Sequence, residues 1–156
     1  MILTTHALVG AVIGKNIENP WIIAMLSLVF HYLLDLIRHG EYVETFDSKV
    51  AFKNTWWKVV LDFSIGLAII LLIIHFNKFD AITVRNIFIG MFFSMLPDLF
   101  TFIYWKFRWK FFEKLYKFHS WCHHLPRFSP ERQWNLKNET YEIIIFLASI
   151  SILVFF

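Results

Sequence analysis

His31 and Asp35 stand four residues apart in FHYLLDLIRH (residues 30–39), a stretch that is otherwise mostly apolar. Side chains at that spacing share one face of a helix. Ser27 extends the same face backward, and His39 lies partly round it. Asp98 follows Pro97 in another apolar run, where Ser94, Asp98 and Thr101 fall on one face. His119 and His123 repeat the four-residue spacing just beyond it, with His124 next to them, and His6 sits in the first apolar run. Imidazole nitrogens and carboxylate oxygens bind Zn²⁺ and similar divalent ions, and three protein ligands plus a water form the usual catalytic arrangement. Such an ion lowers the pKa of its bound water and so supplies a nucleophile at neutral pH. The pattern therefore predicts a site for a divalent metal, zinc by preference, with one or two ions. The predicted ligands are His6, His31, Asp35, Asp98, His119 and His123, with Asp35 and Asp98 as the catalytic carboxylates. His39, Asp62 and His124 are candidates for a surrounding layer. Asp62 also suits an ion pair with Lys58, one turn earlier. No Ser-His-Asp order, Gly-rich phosphate loop or HExxH motif offers a competing chemistry.

The elements that must carry these residues are apolar. Of the 156 residues 58% are hydrophobic and 20% aromatic, with nineteen Phe, more apolar surface than a soluble domain of this size can hide. Four runs, 21–37, 59–76, 86–104 and 141–156, approach the ~20 residues that cross a bilayer as a helix. A fifth run, 2–14, lacks the cationic start of a signal peptide and reads as a short helix in or re-entering the membrane. The expected fold is all-α: one membrane-embedded helical domain over residues 1–156, with four to five membrane segments. The stretch from Trp105 to Trp121 adds basic residues interleaved with aromatics at helical spacing, an interfacial amphipathic helix. Its cations suit an anionic membrane surface better than nucleic acid. The lone Cys122 excludes an intrachain disulfide and a Cys-rich zinc motif.

All of the fifteen Lys and Arg except Lys15, Lys78 and Arg85 fall in the loops after the second and fourth runs. The positive-inside rule puts those loops in the cytoplasm. Every histidine except His75, together with Asp35, Asp62 and Asp98, then falls toward that same face. Ionisable groups in apolar spans are costly and mark function. A transporter would instead place its site near the midplane. A non-enzymatic role, as an ion or metal transporter or a structural membrane component, is the alternative to hydrolysis.

Four short motifs carry a resemblance: TTHALVGAVIG at the start, HYLLD in an apolar helix, LPDLF in a later one and FHSWCHH after it. Together they resemble the YdjM-like family of bacterial inner-membrane metal-dependent hydrolases, which is more distantly similar to zinc-dependent phospholipase C. The likeness covers about residues 1–124. It implies His6, His31, Asp35, Asp98 and the histidines at 119–124 as ligands, and a phosphoester, as in a lipid headgroup or nucleotide, as substrate. The chain departs from the family pattern at Phe100, where a second acidic residue is usual, and keeps only His119-Ser120 of the family's histidine motif.

Overall fold

The computed structural model describes residues 2–40, 48–123 and 133–156. These form six helices: α1 (Leu3–Asn16), α2 (Pro20–Asp35), α3 (Ser48–Asn77), α4 (Ala81–Phe107), α5 (Lys110–Cys122) and α6 (Leu136–Phe155). No strand occurs among the described residues.

Local chemistry sets the helix ends. Asn19 caps α2, its side chain accepting from the backbone N–H of Trp21 and Ile22, and Pro20 takes the first position, where a missing N–H costs nothing. Asp80 caps α4 in the same way through Ile82 and Thr83, and Asn135 caps α6 through Asn138. Arg108 ends α4 with φ 57°, in the left-handed region, and its N–H closes on the Tyr104 carbonyl. That turn sends the chain back along α4 as α5.

Three helices are long and apolar enough to cross a bilayer: Phe52–Asn77 within α3, α4 and α6. Much of their apolar surface faces outward, as Leu72, Phe92 and Ile144 do. Burial in a core does not account for that composition; a lipid environment does. The 14 residues of α1 and the 16 of α2 extend about 21 and 24 Å, less than the ~30 Å of a bilayer's hydrocarbon core. The second apolar run was expected to continue to residue 37; the helix stops at Asp35 instead.

α1 is one uninterrupted helix on the axis of the bundle, not a hairpin that turns back. Every residue from Leu3 to Leu8 is buried. Ala7, Leu8 and Ala11 form a core with Ile70 and Ile73 of α3, Ile87 and Met91 of α4 and Leu153 of α6. Close approach to α4 is possible because both helices are bare there. A Cβ on Gly10 or Gly90 would strike the carbonyl of the other, and one on Gly14 would strike the Asn86 carbonyl. Small residues four apart bring membrane helices together in this way. These contacts make α1 and α4 antiparallel. Thr5 meets Glu142 near the start of α6, and Lys15 Nζ donates to the Ile152 and Leu153 carbonyls at its end, so α1 and α6 run parallel. The start of α1, the ends of α2 and α4, and α5 therefore gather at one end of the bundle.

Candidate metal centre

At that end four histidines surround one carboxylate. Asp35 closes α2 with its side chain almost fully buried. Its Oδ2 lies 3.0 Å from His31 Nε2, 2.8 Å from His119 Nε2 and 3.3 Å from His123 Nε2, while Oδ1 lies 3.2 Å from His6 Nε2. His119 Nε2 is also 3.2 Å from the Nε2 atoms of both His31 and His123, and 3.7 Å from Asp98 Oδ1. His6 stacks on His31 with ring centroids 4.3 Å apart. Four helices thus supply the set: α1 gives His6, α2 His31 and Asp35, α4 Asp98, and α5 His119 with the adjoining His123.

Hydrogen bonding on the far side of the rings fixes what these nitrogens offer. His31 Nδ1 donates to the Ser94 carbonyl at 2.7 Å, and His39 Nδ1 donates to the Ile37 carbonyl at 2.6 Å. A carbonyl only accepts, so Nδ1 carries the proton and Nε2 of the neutral ring presents a lone pair. His119 Nδ1 pairs with Thr101 Oγ1 at 2.8 Å. Metal-ligating histidines characteristically have their second nitrogen held by a carbonyl or hydroxyl in this manner. Pro97 contributes: it has no N–H to give Phe93, its ring disturbs the preceding turn, and the Ser94 carbonyl in that turn is the one His31 uses.

Two observations bear on whether a cation fits. His119 Nε2 carries at most one proton, which cannot serve the four lone-pair-bearing atoms within 3.7 Å of it. His39 Nε2 is buried without a hydrogen-bond partner, close to ligand atoms of Asp35 and His123. Burial also pushes the His39 imidazole down to about 2, so it is neutral and able to ligate. For bonds of 2.0–2.1 Å, tetrahedral ligands sit about 3.3 Å apart, the spacing found among these Nε2 and carboxylate atoms. Three groups, His6-His31-Asp98, His31-Asp35-His119 and Asp35-His39-His123, bring one ligand atom from each member within 4.8 Å of the others. They overlap at His31 and Asp35. The donor set fits one divalent ion, and its breadth suits two.

All six predicted ligands converge here, and His39 joins them more closely than a supporting role requires. His124 lies outside the described residues. Asp62 is placed differently. Its carboxylate receives the N–H of Leu3 and Thr4 at 2.6 and 3.1 Å and the Thr4 hydroxyl at 2.6 Å, so it caps α1 from α3. Glu142 plays a matching part unforeseen from sequence, accepting from Ile2 N–H and the Thr5 hydroxyl. Both carboxylates hold the turn that presents His6.

Beside the cluster lies a cavity of about 480 Å³ between α3, α4 and α5. Its wall is largely apolar, including Val59, Phe63, Met95 and Phe102, while Asp98, Thr101, His119 and His123 reach it at the cluster. Asp98 is 31% exposed there, against 1% for Asp35. Asp35 is enclosed by imidazoles; Asp98 faces the cavity. Comparison with protein-family models, with curated proteins and with solved structures finds no match for this chain.

Proposed function

We propose that this membrane protein is a metal-dependent hydrolase acting on a phosphoester. The supporting observation is the convergence of four Nε2 atoms on the Asp35 carboxylate, beside a cavity edged by a second carboxylate. His31, Asp35, His119 and His123 would hold a divalent cation, zinc by preference, with His6, His39 and Asp98 in reach of the same or a second ion. When bound, the cation supplies an activated water and neutralises charge on a phosphoryl oxygen. Asp98, open to the cavity, takes a proton from the attacking water. The water oxygen forms the new bond to phosphorus, the ester oxygen leaves with its bonding electrons, and Asp98 returns the proton to it. Lys110 and Lys114 on α5 add positive charge to the helix that carries His119, while Lys117 pairs with Glu113; the balance favours an anionic substrate.

The same reading gives α1 and α2 a place in the membrane beside the three longer helices, with local thinning or tilt making up their length. The distribution of Lys and Arg supports the cytoplasmic face as the side that carries the site, with α5 lying in the interface. The resemblance to the YdjM-like family implies a bacterial inner membrane.

Elemental analysis of detergent-purified protein tests the reading. Wild type is expected to hold at least one equivalent of metal, His31→Ala to lose it, and Asp98→Ala to keep much of it while losing hydrolysis of bis(p-nitrophenyl) phosphate. Absence of metal after growth in metal-replete medium would reject the site. Metal without any phosphoesterase activity would leave a binding or structural protein.

A further inference from the structure

The cavity identifies the kind of phosphoester. Its long wall is built by α3 and α4, two of the helices long and apolar enough to cross a bilayer. Several of its lining residues also form the outer surface of the bundle: Val60 is 53% exposed, Phe92 52%, Leu99 44% and Phe63 39%. The cavity therefore opens sideways through the gap between α3 and α4, along an apolar rim. In a membrane that rim meets hydrocarbon, and a polar substrate arriving from water would find no partner along it. The volume lies within the ordinary range for a pocket that encloses a small molecule, ~300–1,000 Å³. Polarity changes along its length. Val60, Phe63, Phe92 and Leu96 are apolar, whereas Asp98, Thr101, His119, Ser120 and His123 gather where the cavity meets the cluster. An occupant must be apolar over most of its length and polar at one end. Tyr116 and Ser120 of α5 also line the cavity, so the helix bearing Lys114 borders the place where a headgroup would lie.

We infer that the substrate is a membrane lipid with an anionic phosphoester headgroup, entering sideways between α3 and α4 so that an acyl chain fills the cavity and the phosphoester meets the His/Asp cluster. This rests on the reading of the cluster as a hydrolytic metal site, but the chain-binding part can be measured without turnover.

The test uses full-length protein reconstituted into vesicles of phosphatidylethanolamine and phosphatidylglycerol. A phosphatidylglycerol with a diazirine at the end of one acyl chain is added and photolysed, and labelled peptides are mapped by mass spectrometry. Label is expected in the cavity segments around Val59–Phe63 and Phe92–Leu96, beyond the background labelling of the outward-facing Ile144 and Leu147 of α6. Leu96→Trp is expected to lower cavity labelling roughly tenfold by overfilling the space. The α6 labelling and the bound metal should not change. Val60→Trp, at the exposed rim, should have the same effect and guards against misfolding of the first variant. Equal labelling of the cavity and α6 segments, insensitive to both substitutions, would overturn the inference even if metal is present. Cavity labelling that responds to both variants in a protein without metal would keep the lipid site and remove the hydrolase reading.

Discussion

Because the Ser94 carbonyl holds the Nδ1 proton of His31, that ring can offer a lone pair at Nε2 only, and the Thr101 hydroxyl holds Nδ1 of His119 so that its Nε2 turns toward the cluster. Thr101→Val is therefore expected to weaken metal affinity by about 10–100-fold, measured by competition with a chelator, with Thr101→Ser near wild type. His39 carries a prediction about pH. Its imidazole is held at about 2 by burial, against about 6.5 in the unfolded chain. Between those values the unfolded chain binds the extra proton, so stability is lost as pH falls below about 6.5. The loss through His39 is on the order of 2 kcal/mol between pH 7 and 5. In chelator-treated protein, His39→Gln should flatten that part of the profile; an unchanged slope would show that His39 does not titrate this way. His6, His31, Asp35 and Asp98 stood out in the sequence because ionisable groups in apolar segments are conspicuous, and His119 and His123 did so through their four-residue spacing just beyond one. The capping parts of Asp62 and Glu142 could not. Their partners are backbone N–H groups in a remote segment, which every residue type but proline provides.

The presence of the helices was legible as apolar runs, but the starts of three were not: α3 begins at Ser48 and not at 59, α4 at Ala81 and not at 86, and α6 at Leu136 and not at 141, because first turns that mix in polar residues carry no continuous apolar signal. Nor was the end of α2 at Asp35, because the apolar residues Leu36 and Ile37 continue the pattern beyond the helix. How the helices meet was also hidden. Gly10 and Gly14 are spaced for close packing, but nothing in the chain announces that Gly90 is the partner. Gly90→Ala should lower stability by about 1–3 kcal/mol, because the added methyl meets the backbone of Gly10 and not a side chain that can turn aside. An unfolding titration in mixed micelles reads this directly. A smaller loss is expected for Gly66→Ala, where the nearest obstacles are Thr4 Cα and its hydroxyl at 3.1 and 3.3 Å. Equal effects at the two sites would argue against a special α1–α4 contact.

At the scale of the molecule, an all-helical membrane protein follows from composition, but its core does not. The shortest helix among the apolar segments, not the longest, forms the axis. The candidate ligands come from helices scattered along the chain, so a bound ion would tie α1, α2, α4 and α5 together. A chelator is then expected to lower thermal stability as well as activity. At free metal about 100 times its Kd the linkage is worth roughly 2.7 kcal/mol. A melting temperature indifferent to chelator and to added Zn²⁺ would count against that cross-link. The axial position of α1 also has a consequence for synthesis. This segment leaves the ribosome before the other described helices, and its packing partners, Gly90 and Glu142 among them, are made much later. Alone in lipid it would be 14 residues long with Thr4, Thr5 and His6 exposed to hydrocarbon, an unfavourable state. It should therefore wait at the membrane surface and be drawn in once α4 has been inserted, so that a segment translated before its partners takes its place after them. Nascent chains stalled before and after residue 107 would display this order as a change in the protection of α1 from water-soluble cysteine reagents, using a cysteine introduced at Val12.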